Sequence, residues 1–370
     1  MNDRVSRRAL LKSGCAAATL PLWSLPALSQ ERHFEPQVGA WRTFEITTTV
    51  NVADVKGATQ LWLPVPDVNS DYQRSGDNAW TGNADSARLV SDPARGVRML
   101  HAQFAATVAA PTLQLTSRIQ TRNRAVDWAR KSVASEDPAV LRHNLAPTEL
   151  LPVDGIVRST ALEATQGART DVDKVRALYQ WVVDNSHRDP TTRGCGAGDI
   201  KTMLETGNLG GKCADLNSLF VGLCRSVGVP ARDVYGLRLV PSAFNYKELG
   251  GNPANLKGAQ HCRSEVFLRE YGWVAMDPAD VLKVMRQETP VWIKDLKNPL
   301  VAPVARSLFG GWEGNWVAWN TVHDIKLPGS VAKSTLPFLM YPQGENASGR
   351  FDELAPDDFK YSITAREIIG

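Results

Sequence analysis

Apolar residues recur every three or four positions within the segment GGKCADLNSLFVGLCRSVGVPAR, which spans residues 210–232. This period predicts an amphipathic helix that begins at Cys213 and ends before Gly228. The same kind of spacing predicts three more helices upstream of it, at residues 155–166, 171–185 and 199–205. The middle of the chain is therefore predicted to be helical around one strongly apolar helix.

Alternating apolar and polar residues mark a different region nearer the N-terminus. The alternation and the β-branched residues predict four strands separated by Asn, Asp, Gly and Pro turns, at residues 43–52, 58–65, 97–109 and 113–121. This pattern is typical of a small antiparallel β-sandwich. A later run, QHCRSEVFLREYGWVAMDPAD at residues 260–280, predicts two strands joined by a tight REYG turn.

The order of these elements predicts an α+β fold with two domains. The expected divisions are a signal segment, a β-sandwich, a linker, a core of helices and strands, and a C-terminal extension packed on the core, at residues 1–29, 30–125, 126–150, 151–330 and 331–370. Three tryptophans in GGWEGNWVAWN, residues 310–320, are expected to pack against the sheet of the core and seal it from solvent. The alternative is that they line a substrate cleft.

The first 29 residues carry an export pattern. The run SRRALLK resembles a twin-arginine signal; an alanine-rich apolar stretch follows, with small residues suited to cleavage before Gln30. Pro21 and Pro26 break that stretch, so it is too short for a membrane-spanning helix. We expect a periplasmic mature protein without an integral membrane segment.

Composition narrows the class of partner. The chain has 370 residues and a net charge of +3, and this excess lies in the signal segment, which holds Arg4, Arg7, Arg8 and Lys12 against Asp3. In the rest of the chain, basic residues are interspersed with acidic ones instead of forming runs, which argues against nucleic-acid binding. Nothing in the sequence defines the oligomeric state.

Cys213 is the candidate nucleophile. It follows a Gly-Gly pair and Lys212 and occupies the first turn of the predicted helix. Unpaired N–H groups and the positive end of the helix dipole favour a thiolate at that position, and the Lys212 charge adds to the effect. The alternative is a small buried hydrophobic residue.

The hairpin at residues 260–280 supplies two partners for such a thiol. His261 begins its first strand and Asp277 ends its second, so pairing of the strands brings both to the same open end. A cysteine, a histidine base and a carboxylate that orients the histidine form the usual constellation of nucleophilic thiol catalysis.

Three ordered motifs resemble the transglutaminase-like superfamily, whose core is related to papain. They are G-x-C-x-D at the start of the helix, H-x-x-x-E-V on the strand and G-W-V-x-x-D-P at its end, and the resemblance spans about residues 151–284. It implies a papain/transglutaminase-like core in which Cys213 is the nucleophile, His261 the general base and Asp277 the orienting acid. Better-known members supply a Trp or Gln upstream as second oxyanion donor, but RGCGAGD at residues 193–199 contains neither. The backbone N–H of Cys213 is one donor, and the other stays open.

The resemblance implies acyl transfer from protein or peptide amides through a thioester. Attack by water would make the protein a cysteine peptidase or amidase, and attack by a lysine amine a cross-linking transglutaminase. Hydrolysis is favoured because amine transfer requires a site that excludes water. A third alternative is a binding or assembly protein that retains the fold without catalysis.

The remaining candidate residues are given mainly structural interpretations. Cys224 and Cys262 are expected in the core, with Cys262 facing away from the site, while Cys195 lies on a glycine-rich loop with an open role. His187 is expected to interact with a helix C-terminus, and His323 with Asp324 is a weaker competing pair. The sequence has no C-x-x-C or H-x-x-x-H pair, no phosphate loop and no calcium-loop pattern, so no metal and no cofactor are predicted.

Overall fold

A computed structural model describes residues 32–53, 55–92, 95–332 and 334–369. The predicted twin-arginine segment, residues 1–29, lies outside these described residues. Residues from Arg32 onward form one compact unit. No helix in the described part of the chain has both the length and the apolar character needed to cross a membrane.

Seven strands occupy the N-terminal third. They are β1 (Arg42–Asn51), β2 (Thr59–Pro64), β3 (Gln73–Gly82), β4 (Ser86–Ser91), β5 (Arg98–Phe104), β6 (Thr112–Thr121) and the short β7 (Arg124–Ala125). The predicted strands correspond to β1, β2, β5 and β6, whose buried residues alternate along β1 and β6. Because alternate side chains point to opposite faces, each of these two strands buries one face.

Helices and a second set of strands follow. The helices are α1 (Pro138–His143), α2 (Gly155–Ala164), α3 (Asp171–Asn185), α4 (Ile200–Thr206), α5 (Cys213–Ser226), α6 (Pro278–Gln287), α7 (Ala302–Ser307) and α8 (Pro356–Phe359). The strands are β8 (His187–Arg188), β9 (Gly210–Gly211), β10 (Ala231–Arg238), β11 (Gln260–Leu268), β12 (Gly272–Met276), β13 (Gly311–Trp312), β14 (Trp316–Asn320), β15 (Gln343–Asn346), β16 (Gly349–Arg350) and β17 (Tyr361–Ile368). A 3₁₀ turn lies at Lys247–Leu249.

The N-terminal strands form two antiparallel sheets that the C-terminal segment completes. Their strand orders are β17-β1-β6-β3 and β16-β15-β2-β5-β4. Eight consecutive residues of β17 pair with β1, and β15 pairs with β2. The segment 331–370 therefore contributes strands to both sheets, and the predicted domain boundaries stay a prediction.

The core sheet has the order β12-β11-β10-β14, and the apolar helix α5 packs against β11 and β10. Every residue of α5 is buried, including the polar residues Asp215, Asn217 and Arg225. A capping box begins α3, since Thr170 and Asp173 exchange hydrogen bonds at its N-terminus. The predicted α+β fold class is confirmed.

The three tryptophans of residues 310–320 are buried, as the sealing interpretation predicts. The indole N–H of Trp316 donates to the carbonyl of His261 at 2.9 Å. The guanidinium of Arg263 lies over the rings of Trp312 and Trp316, at 5.1 and 4.7 Å from their centroids. These rings therefore pack against the strand that carries His261.

Candidate active site

Cys213 is the first residue of α5, and its side chain is 3% exposed. The two-residue strands β8 and β9 pair in parallel directly before it, with Arg188 opposite Gly211. The carboxylate of Asp215 accepts from the backbone N–H of Lys212 at 2.9 Å, which caps the helix. The thiol therefore sits at the positive end of a buried helix, as the sequence predicts.

His261 and Asp277 come together at the open end of the hairpin. Strands β11 and β12 pair antiparallel, with Ser264 opposite Met276. The carboxylate oxygen Oδ2 of Asp277 lies 2.8 Å from Nε2 of His261. Because Nε2 faces the carboxylate, Nδ1 is the ring nitrogen left for the thiol. The other oxygen of Asp277 caps α6 by accepting from the N–H of Asp280 at 3.1 Å.

A buried network of charges surrounds this pair. Oδ2 of Asp280 lies 3.3 Å from Nε2 of His261, and its other oxygen accepts from Arg238 at 2.5 Å. Nε of Arg263 lies 3.6 Å from Asp277. Asp280, Arg238 and Arg263 were not among the residues predicted from the sequence.

These neighbours shift the pKa values of both catalytic candidates. Hydrogen bonding to the Cys195 and Cys262 thiols, and then to the His261 imidazole, holds the pKa of Cys213 well below its ordinary value despite burial. Burial and Arg238 oppose protonation of His261, but Asp280 and Asp277 outweigh them and raise the pKa of His261 to about 9. The two shifts favour a thiolate–imidazolium pair at neutral pH.

The glycine-rich loop at residues 193–199 brings Cys195 to the thiol. The carbonyl of Cys195 accepts from the N–H of Ala214 at 2.9 Å, and Tyr341 Oη donates to Cys195 Sγ at 3.1 Å. The N–H of Gly198 donates to Asp215 at 2.9 Å. Gly196 has φ +89°, and a Cβ there would clash with the Asp215 carboxylate. The glycines therefore let the loop dock on the first turn of α5.

The other cysteines are partly as expected. All four cysteines of the described residues are free and buried. Burial raises the pKa of Cys224 well above its ordinary value, as suits a core thiol. Cys262 is also buried and does not line the cavity at Cys213, although its thiol is among the groups that lower the pKa of Cys213.

His323, the competing candidate, and His187 both lie away from the cavity at Cys213. Nε2 of His323 is 3.2 Å from Asp233, and Tyr235 Oη is 3.2 Å from its Nδ1, so His323 pairs with neither Asp324 nor the thiol. The ring of His187 packs against Trp292 with centroids 5.9 Å apart. Neither histidine lines the cavity at Cys213.

His261, Asp277 and Asp280 are close enough together to be tested as a metal site. The cations beside them argue against that use. Arg238 pairs with Asp280, and Arg263 lies beside Asp277. A divalent cation would have to compete with two buried guanidinium groups, so the donor set fits an ion-pair network better than a metal site.

A cavity of about 660 Å³ opens over the thiol. Cys213 and His261 line it together with Cys195, Gln260 and residues of the loop 250–259. Tyr341, Leu354, Pro356 and Tyr361 form the wall contributed by the C-terminal segment. Asn252 and Asn255 on the rim are exposed, which connects the cavity to solvent.

One of the site residues that were not predicted from the sequence lies in a recognisable sequence pattern. Asp280 follows Asp277 by three positions in D-P-A-D, a spacing that places both carboxylates on one face of the first turn of a helix. Tyr341 had no such signal, because it reaches Cys195 across 146 residues of chain. Long-range packing of that kind leaves no periodicity to recognise.

Residues 158–278 match the family model described as the Transglutaminase-like superfamily. The chain therefore contains a domain of that superfamily. An uncharacterised protein of Haemophilus influenzae is 30% identical over 343 residues, which cover 88% of this chain and 91% of the relative. This chain and that protein are therefore members of one family.

Two solved structures are also similar. A proposed cysteine protease from Cytophaga hutchinsonii is 16% identical with a TM-score of 0.48, and the match covers 89% of this chain and 99% of the other. The periplasmic domain of TgpA from Pseudomonas aeruginosa is 17% identical with a TM-score of 0.36, and the match covers 65% of this chain and 96% of that domain.

Proposed function

We propose that this protein is a thiol-dependent acyl-transfer enzyme that hydrolyses protein or peptide amides. The observation that carries the proposal is the 2.8 Å contact between His261 Nε2 and Asp277, made beside a helix-start thiol of lowered pKa. Cys213 and His261 line a cavity that is open to solvent, and Asp277, which does not line it, contacts His261. Such an arrangement suits the formation and hydrolysis of a thioester.

The proposed steps follow from these positions. The Cys213 thiolate attacks the carbonyl carbon of the amide, and the His261 imidazolium gives its proton to the departing amine. The acyl group is then held as a thioester. His261, now neutral, takes a proton from water as the water attacks the thioester, and the carboxylic acid leaves as the thiolate and the imidazolium are restored. Asp277 holds the imidazole in one orientation throughout.

Water is the favoured acceptor because the cavity reaches exposed rim residues such as Asn252 and Asn255. A transglutaminase would need to keep water from its thioester. We also propose that the protein acts in the periplasm, as the paired Arg7 and Arg8 of the N-terminal segment suggest.

A partition experiment tests the choice of acceptor. Dimethylated casein is incubated with the protein with and without a fluorescent primary amine, and new termini, ammonia and bound fluorescence are measured. We expect new termini or ammonia that Cys213→Ser abolishes, with little fluorescence in the protein. Incorporation of most of the acyl groups into the amine, lost in Cys213→Ser, would contradict hydrolysis and identify a transglutaminase.

A further inference from the structure

The cavity over Cys213 is lined by cations and by no acidic side chain of the described residues. The lining cations are Arg188, Lys212, Arg238, Lys257 and Lys283. A wall with charges of one sign raises the local concentration of ligands of the opposite sign. The positive charge of this wall is therefore expected to influence whether the preferred substrate is anionic.

Three of the five cations are already compensated by carboxylates outside the lining. Arg238 pairs with Asp280 at 2.5 Å, Lys283 pairs with Glu248 at 3.2 Å, and Lys257 pairs with Asp357. These three stabilise the walls of the cavity. Because their charges are paired, these three cations contribute little to the attraction of an anionic ligand.

Arg188 and Lys212 differ, because neither has an ion-pair partner within 4 Å among the described residues. Nε of Arg188 donates to Gln287 at 2.9 Å, which fixes the guanidinium without neutralising it. The nearby carboxylate of Asp189 accepts from Thr191 at 2.9 and 2.7 Å and does not line the cavity. Two positive charges without a salt-bridge partner thus remain at the wall, and Asp189 and Cys213 act on Lys212 only at longer range.

These two charges lie beside the thiol. Arg188 pairs with Gly211 in the parallel β8–β9 ladder, and Lys212 directly precedes Cys213. Burial, and then repulsion by the charge of Arg188, lower the pKa of Lys212, while Cys195, Cys213 and Asp189 act in the opposite direction. An anion bound between them would relieve that repulsion.

We propose that Arg188 and Lys212 form an anion subsite, and that the preferred acyl donor is a peptide with a carboxylate close to the amide that Cys213 attacks. The inference rests on the proposed function and adds the substrate class. The carboxylate is either an acidic side chain or a free chain terminus.

Two alkylating reagents of nearly equal size test the subsite. Iodoacetate carries a carboxylate where iodoacetamide carries an amide, and both react with the same thiolate. The ratio of their rates at Cys213, measured by peptide mass spectrometry, therefore reports the electrostatic preference independently of thiol ionisation. Arg188→Gln and Lys212→Gln are each expected to lower this ratio about threefold to tenfold. Lys201→Gln, an equal charge change on the exposed face of α4, should leave it unchanged.

The outcomes separate the subsite from the function. An unchanged ratio in both cavity variants, with normal iodoacetamide reaction, overturns the subsite alone. Failure of both reagents to modify Cys213 faster than the other cysteines overturns the proposed function as well. Peptide pairs then identify the source of the carboxylate: faster cleavage of Glu than of Gln peptides indicates a side chain, and faster cleavage of free than of amidated termini indicates a terminus. Equal cleavage in both pairs contradicts the substrate class.

A second inference comes from a different observation, the side chain of Gln260. This residue begins β11 directly before His261, is 8% exposed and lines the cavity. Its amide nitrogen Nε2 has no hydrogen-bond partner among the described residues. A buried donor without a partner is costly and uncommon in a folded protein, which suggests that a ligand atom satisfies it.

We infer that Gln260 Nε2 is the second oxyanion donor of the acyl-transfer site proposed above. The first turn of α5 leaves the N–H of Cys213 without an acceptor within the helix, so it supplies the other donor. Two N–H groups at the thiol would stabilise the negative oxygen that forms when the thiolate adds to a carbonyl. This places the second donor downstream of the nucleophile in the chain.

Gln260→Ala tests this role, because alkylation passes through no oxyanion. With p-nitrophenyl acetate as the acyl donor, the burst of nitrophenolate should slow about 10²-fold, whereas iodoacetamide should modify Cys213 at the wild-type rate. Gln343→Ala, which removes another buried glutamine far along the chain on β15, is the matched control and should keep the burst. A wild-type burst in Gln260→Ala, or an equal loss of burst and alkylation, overturns the assignment. A different outcome would contradict the proposed function itself: Gln260→Ala abolishes the burst, and iodoacetamide does not modify Cys213 even in the wild-type protein.

Discussion

Replacing Cys213 by Ser is expected to slow acylation by p-nitrophenyl acetate about 10⁵-fold. The thiol is the only side chain in the proposed mechanism that bonds to the acyl carbon, and its pKa is held well below the ordinary value by Cys195, Cys262 and His261. A serine hydroxyl at the same place stays protonated at neutral pH. The rate of the nitrophenolate burst measures the effect.

Cys224→Ser is the matched control for that variant. Cys224 belongs to the same helix, but burial raises the pKa of its thiol, and it does not line the cavity. The control should keep the burst within about twofold, since conservative buried changes act mainly on stability. A burst that survives in Cys213→Ser would contradict the assignment of the nucleophile.

Asp277→Asn is expected to lower the acyl-transfer rate about 10³-fold to 10⁴-fold. The amide removes the charge that helps to raise the pKa of His261 to about 9. Loss of a negative neighbour lowers that pKa, so the imidazolium loses its proton at a lower pH. The alkaline limb of the rate profile, which lies near pH 9 in the wild type, should therefore move toward neutral pH in the variant.

Asp280→Asn distinguishes the two carboxylates at His261. Asp280 lies farther from Nε2, at 3.3 Å, and pairs with the buried Arg238. We expect a smaller loss of rate, with a larger loss of stability in thermal unfolding because Arg238 is left without its partner. A rate loss in Asp280→Asn that exceeds the loss in Asp277→Asn would make Asp280 the orienting acid.

Local patterns carried most of what the sequence could predict. The amphipathic period located α5 within one or two residues, and alternation with a turn located the β11–β12 hairpin. Both elements are short in sequence and bury a regular face, so their signals are contained within about 20 residues. The chemistry-bearing residues Cys213, His261 and Asp277 lie at the ends of these elements.

The parts that escaped prediction depend on contacts distant in the chain. Strand β17 pairs with β1 across more than 300 residues, and Tyr341 reaches Cys195 from the same C-terminal region. Cys195 approaches the thiol because the loop docks on Asp215, a contact that composition alone does not specify. Gln260 showed no signal, since an unpartnered amide is visible only after the surrounding atoms are placed.

The central claim is that Cys213 carries the acyl group. Its most direct test is mass spectrometry of the peptides from wild-type protein quenched during turnover of p-nitrophenyl acetate. We predict an acetyl thioester on Cys213, absent from Cys195, Cys224 and Cys262 and removed by hydroxylamine. An acetyl group on another cysteine, or turnover with no acetyl group on Cys213, would contradict the account.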